Sequence, residues 1–108
     1  MNKGEIWLIE FPRVAWGHEQ QGFRPALVLA ETATTVIVVP FSTNLQTLRF
    51  PYVLEVIPSE KNKLKNFSAA LVLQLRAIDK RRVKRKIGDL EKGFVKEIDK
   101  MLRRLLLL

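Results

Sequence analysis

Two polar stretches carry the side chains with which this chain could do chemistry. The first holds His18, Glu19, Gln20 and Arg24; the second holds Ser42, Thr43, Asn44 and Gln46. Groups of these types suffice to cut a phosphodiester that brings its own nucleophile, as RNA does in its 2′-hydroxyl. The protein must help remove the hydroxyl proton, stabilise the crowded phosphorane anion and protonate the leaving oxygen. Arginine suits the middle task, because it is always charged and offers several donors. For the same reason it is a poor base. A hydroxyl such as that of Ser42 can donate a hydrogen bond to the same phosphate. On composition alone, the blander reading of both stretches is the commoner one: solvated connections with an incidental histidine.

Other chemistries lack their residues. There is one histidine and no cysteine, so no His/Cys metal cluster can form, and no disulfide. The acidic residues are scattered, with neither a calcium-loop spacing nor a carboxylate pair. No glycine-rich phosphate loop and no nucleophile-elbow motif occurs. The expectation is chemistry without a metal or other cofactor.

The elements that position these stretches read as short strands followed by one helix. Strands are expected at Glu5 to Phe11, Ala26 to Ala30, Thr35 to Val39, Tyr52 to Ile57 and Ala69 to Leu75, from their length and Val/Ile content. Several of these runs are apolar at every position, which requires cover on both faces. The cover expected is a helix on part of the sheet and a second subunit on another part. The alternative is a simple sheet sandwich. After Gly88 the period changes. Asp89 can cap a helix that begins near Leu90, with Leu90, Phe94, Ile98, Met101, Leu102 and Leu105 on one face. Glu91 falls in its first turn, and Lys100, Arg103 and Arg104 fall late, each where the helix dipole favours its charge. The terminal Leu105 to Leu108 is too short for an anchor and reads as packing or a subunit contact. The two polar stretches then fall in loops, Pro12 to Arg24 and Ser42 to Arg49.

With 108 residues and 47% hydrophobic content, residues 1–108 read as one folded domain. No signal peptide and no membrane-length apolar run is visible, so a soluble cytoplasmic protein without membrane contact is expected. Nineteen basic residues face eleven acidic ones, for a formal charge of +8. Such an excess attracts polyanions: nucleic acid first, an acidic protein second, an anionic membrane surface third. Lys80 to Lys86 is the densest basic run. It reads equally as a track for a nucleic-acid backbone or as a solvated edge or helix start.

Gly4-Glu5-Ile6-Trp7-Leu8, followed by Gly17 to Leu29 with its Gly22-Phe23-Arg24-Pro25, resembles the N-terminal signature of the MazF/PemK toxin family. Val38-Val39-Pro40-Phe41-Ser42-Thr43 resembles its second motif, and Gln74 to Lys80 its third. Ile87 to Leu90 and the terminal helix complete the pattern. The likeness spans nearly the whole chain, in order.

The resemblance implies an α+β fold, an SH3-like small β-barrel with a C-terminal helix, paired as a homodimer. It implies the toxin of a type II toxin-antitoxin system. Its activity would be metal-independent, sequence-specific cleavage of single-stranded messenger RNA, leaving a 2′,3′-cyclic phosphate or 3′-phosphate and a 5′-hydroxyl. A cognate antitoxin would insert an acidic segment into the RNA groove. Carried over residue by residue, Arg24 is the catalytic arginine, and Ser42 stands where most members have a catalytic threonine. Glu19 and Gln20 match the loop that orders over RNA, and His18 matches a histidine implicated in some members and is the one conventional near-neutral base. Thr43, Gln74 and Arg76 are auxiliary or RNA-binding. Two positions depart from the pattern. Leu73 stands where many members have an acidic residue, which removes that version of the mechanism. Phe23 replaces a polar or basic residue and could stack on a base. The alternatives are a non-catalytic, CcdB-like topoisomerase-binding toxin and a degenerate member that only binds antitoxin.

Overall fold

The computed structural model describes residues 1–12 and 22–108. His18, Glu19 and Gln20 lie outside the described residues. Seven strands make one antiparallel sheet, and a single helix closes the chain: β1 Glu5–Phe11, β2 Gly22–Glu31, β3 Thr35–Ser42, β4 Val53–Val56, β5 Ser68–Leu71, β6 Arg76–Asp79, β7 Val83–Asp89 and α1 Lys92–Leu105. The order is β4-β5-β3-β2-β1-β7, with β6 also pairing β3. Mainly β with a terminal helix is the expected class.

The sheet curls because its pairing is interrupted. β1 and β7 shift register between Ile6 and Trp7 and between Leu8 and Ile9, and β2 and β3 shift between Val28 and Ala30. Such irregularities bend a strand and raise its twist. The curl explains the uninterrupted apolar runs. Ala26, Leu27 and Val28 are all fully buried, although successive side chains point to opposite faces. Leu27 joins a core with Ile6, Val39, Phe41 and Ile98 of α1. Ala26 and Val28 join a second core with Ile9, Phe11, Val36, Val38 and Ile78. The helical cover was foreseen, but the second face is covered by the chain's own curled sheet. Burial of these runs therefore needs no partner.

α1 starts later than expected. Gly88 and Asp89 are the end of β7, paired with Ile6 and Glu5, so Asp89 caps nothing. The residue before the helix is Glu91, whose carboxylate makes no capping bond. It instead accepts Ser59 Oγ at 2.5 Å and Asn62 Nδ2 at 3.0 Å. Burial opposes its ionisation, but these bonds more than offset that and leave its pKa lowered. Asn62, itself fully buried, also accepts the Ser59 and Leu64 backbone N–H groups and donates to the Ile57 carbonyl. One amide thus ties the connection after β4 to the start of α1.

At the other end of the sheet, Trp7 Nε1 donates to Glu5 Oε1 at 2.9 Å, Asn2 N donates to the same oxygen, and Lys86 adds an ion pair at 3.4 Å. Led by the indole bond, these hold the Glu5 carboxyl at about 2. A depressed folded-state pKa means stabilisation that is complete above the unfolded value and lost as pH falls through the folded one. Glu5→Gln is therefore expected to flatten the fall in urea midpoint between about pH 5 and about pH 2. An unchanged slope would remove Glu5 from the account of acid sensitivity.

Candidate functional site

A cleft of about 750 Å³ opens where β2 ends and β3 runs out. Strand pairing builds its inner wall. Ala26 faces Pro40 across the β2–β3 ladder, and the same antiparallel register carried two residues outward brings Arg24 to Ser42. Both side chains line the cleft.

The Ser42 hydroxyl is only 6% exposed and accepts the Asn44 backbone N–H at 3.1 Å. With a lone pair so occupied, its proton is left to donate outward. The expected loop after Ser42 is in fact ordered as a turn of 3-10 helix, Leu45–Arg49. It is capped by Asn44 Oδ1 on Gln46 N, and Thr47 Oγ1 donates to the Asn44 carbonyl at 2.7 Å. Asn, Ser and Thr favour such local bonds, which compete with a continuing strand. This turn carries Thr47 and Arg49 into the cleft wall, with Arg49 lying 5.1 Å over the Phe50 ring.

The opposite wall corrects a sequence expectation. Ala69 to Leu75 is not one strand. β5 stops at Leu71, whose backbone (φ −89°, ψ 75°) leaves the extended region, and Val72–Gln74 forms a 3-10 turn. The turn sets Leu73 and Gln74 against the cleft, Leu73 being 41% exposed. The Gln74 Oε1 is buried and, among the described residues, has no hydrogen-bond partner. A buried unmet acceptor costs about 1–3 kcal/mol, which a substrate donor would recover.

The cleft thus gathers Arg24, Ser42, Thr43, Asn44 and Gln74 as expected, and adds Thr47, Arg49 and Phe50. Among the described residues its lining holds two arginines and no carboxylate. Arg49 was the residue to notice in the sequence: a cation next to an aromatic at the end of a polar stretch. Two expected residues fall outside the lining. Arg76 is half-buried on β6, its guanidinium 4.7 Å over the Phe11 ring. Phe23, 60% exposed, lies beside Arg24 on β2, with Lys84 5.8 Å from its ring centre. Among the described residues, no three His, Cys, Asp or Glu side chains converge to hold a metal, and no helix is long and apolar enough to cross a membrane.

The basic run 80–86 is a short 3-10 turn, Lys80–Arg82, followed by β7, an edge strand on β1. Most of its charge is met by carboxylates. Lys80 pairs with Glu31, Arg81 with Asp79, Arg82 and Lys84 with Glu10, and Lys86 with Glu5 and Asp89. Such exposed pairs contribute little stability, but they offset the field of the run. The bonds from Arg81 hold the Asp79 carboxyl at about 2. The solvated-edge reading describes most of this run.

Residues 2–106 match the model of the family described as the PemK-like, MazF-like toxin of type II toxin-antitoxin systems. The chain is 30% identical over 107 residues to an Endoribonuclease MazF of Staphylococcus epidermidis, covering 94% of this chain and 88% of that protein. In fold it is similar to a crystal structure of MazF from Deinococcus radiodurans, with a TM-score of 0.82 at 24% identity, covering 100% of this chain and 97% of that one. It is also similar to a MazE-MazF crystal structure from the same organism, with a TM-score of 0.73 at 23% identity, covering 100% and 96%.

Proposed function

The chain belongs to the PemK-like, MazF-like toxins of type II toxin-antitoxin systems, and we propose that its arginine-lined cleft cuts single-stranded messenger RNA beside short recognition sequences, without a metal. The observation that carries the reading is the pairing of Arg24 with an oriented Ser42 hydroxyl in a cleft whose lining, among the described residues, holds no carboxylate. A wall of this kind attracts a phosphodiester.

The chemistry follows from these groups. The RNA 2′-oxygen attacks phosphorus, the bond to the 5′-oxygen breaks, and a 2′,3′-cyclic phosphate and a 5′-hydroxyl result. Arg24 meets the charge that builds on the equatorial phosphate oxygens, and the Ser42 proton donates to one of them. Preformed donors of this kind stabilise the transition state without reorganising. Gln74 Oε1 is an acceptor for a sugar hydroxyl or a base amino group. Leu73 supplies no acid or base. The 2′-hydroxyl proton passes to His18, the chain's one imidazole, with Glu19 and Gln20 assisting from the same stretch, and water protonates the departing 5′-oxygen. Phe23 offers a stacking face outside the cleft, and Arg76 supports the wall from β6.

Ser42 tests the oriented-hydroxyl part of the reading. Ser42→Ala is expected to lower kcat/KM by about 100-fold, whereas Ser42→Thr, which keeps the hydroxyl, stays within about threefold. Equal losses in the two variants would mean that packing at this position matters and the hydroxyl does not.

The partners in this reading are RNA, an acidic antitoxin segment that occupies the same cleft, and a second copy of the chain. Exposed Leu106, Leu107 and Leu108 support the homodimer. The setting is the cytoplasm, where messenger RNA is met. Discrete cuts in RNA, with matching DNA untouched, are the test. Topoisomerase inhibition without RNA cleavage would defeat the reading.

A further inference from the structure

On the far side of the β2–β3 strand ends lies a second cleft, of about 390 Å³. Side chains alternate along a strand, so Pro25 and Thr43, which follow Arg24 and Ser42, reach it. Thr43 lines both clefts and forms the ridge between them. The floor is apolar, with Leu8, Pro25, Leu64 and Ile87. The rim carries Lys63, Lys65 and Arg85, and among the described residues the lining holds no carboxylate.

The rim is built. Lys63 has a left-handed backbone, with φ 56°, a strained choice for a side chain of its kind. Bonds on both sides hold it there: Lys63 N donates to the Ser59 carbonyl at 2.9 Å, and Leu64 N to buried Asn62 Oδ1 at 3.0 Å. The result is a lip with Lys63 and Lys65 exposed and Leu64 turned under them. Ser68 Oγ takes the Asn66 carbonyl at 2.9 Å and fixes the next turn. Among the described residues, none of the three rim cations is ion-paired. Arg85 differs in this from its strand neighbours Lys84 and Lys86, both of which meet carboxylates.

We propose that the second cleft is a subsite for the RNA nucleotide one step beyond the two that the scissile phosphate joins. Its base rests on the Leu8, Pro25, Leu64 and Ile87 floor, and Asn66 reads its edge. Lys65 and Arg85 hold its phosphates. The inference rests on the reading of the first cleft as the cutting site, and the shared ridge at Thr43 is why RNA is the occupant. Because Thr43 lines both clefts, a strand leaving the first over that ridge enters the second. Stacked bases on apolar or aromatic floors and edges read by amides are how single-stranded RNA is recognised.

The test is kinetic, with wild type, a Lys65→Ala/Arg85→Ala double variant and Asn66→Ala. All three positions are exposed, and circular dichroism checks that the variants fold. The substrates are a long single-stranded transcript with its ends mapped and a dinucleotide that spans the scissile bond alone. On the transcript the double variant is expected to raise KM by about tenfold and to reduce the slope of log KM against log salt by about 1.4, for two lost phosphate contacts on a single strand. Asn66→Ala is expected to broaden the base preference at one position, one nucleotide beyond those that the cut separates. Both variants should cut the dinucleotide at the wild-type rate. Wild-type KM and an unchanged cut pattern would overturn the subsite, and so would equal losses on the dinucleotide. Weakened binding of polyglutamate with transcript cleavage intact would also overturn it, and would assign the rim to an acidic protein. Failure of the wild type to cut any RNA would instead defeat the reading of the first cleft.

Discussion

Arg24→Ala is expected to reduce RNA cleavage by at least about 100-fold while the protein remains folded. The effect is electrostatic. The reaction concentrates negative charge on the phosphorane, and Arg24 is one of two arginines that line the cleft among the described residues. It stands at the end of β2, half-buried and braced by the β1–β2 ladder, in which Ile9 faces it. The charge therefore waits at a fixed place. Arg49 cannot replace it, because it belongs to a different wall, lying over Phe50. Arg24→Lys keeps the charge but loses the planar fork of donors, and is expected to recover only part of the activity. The measurement is single-turnover cleavage of a transcript, alongside thermal unfolding of each variant. Undiminished cleavage by folded Arg24→Ala would remove this residue from the mechanism.

The second large effect is on stability. Gly88→Ala is expected to destabilise the fold by more than about 3 kcal/mol. A Cβ at Gly88 would sit 2.4 Å from the Asn62 carbonyl oxygen and 2.8 Å from that of Lys61. Both neighbours are backbone, so neither can swing aside. Moving them breaks the bond from Asp89 N to the Lys61 carbonyl and pulls Asn62 from Glu91. The half-buried Glu91 carboxylate would then lose one of its two side-chain donors. A loss of this size is a large share of the roughly 5–15 kcal/mol available to a small domain. Gly93→Ala is the internal control. It lies in α1 with nothing within 4 Å of its Cβ position, and is expected to gain about 1 kcal/mol from helix propensity. Urea midpoints measure both. A Gly88→Ala variant as stable as wild type would mean that the Asn62 segment is not fixed in place.

The parts of the fold that sequence could foretell are those where one period and one boundary agree. The α1 stripe of Phe94, Ile98, Met101, Leu102 and Leu105 packs on the first core as its spacing requires. β1 begins and ends where its apolar run does. Two elements escaped because tertiary pairing decides them. β7 contains Lys84, Arg85 and Lys86 in succession, a run that reads as solvent-facing, yet its backbone is claimed by the β1 edge. The break after Leu71 has neither glycine nor proline to mark it. It arises because the chain leaves the β4–β5 pairing and rejoins β3 through β6. That break is what sets Gln74 in the cleft. Of the site itself, Arg24, Ser42, Thr43 and Gln74 were legible through family resemblance. Arg49 and Phe50 were not, since nothing local shows that a capped turn will fold them back towards Arg24.

The proposed function requires that Arg24 and Ser42 cut RNA without a metal, in a cleft whose described lining holds no carboxylate. Incubating the protein with long single-stranded RNA and matching DNA in excess EDTA, then mapping the ends, tests it most directly. The account predicts discrete cuts in RNA alone, each leaving a 2′,3′-cyclic phosphate and a 5′-hydroxyl. RNA left intact in EDTA and cut only when a divalent cation is restored would contradict it.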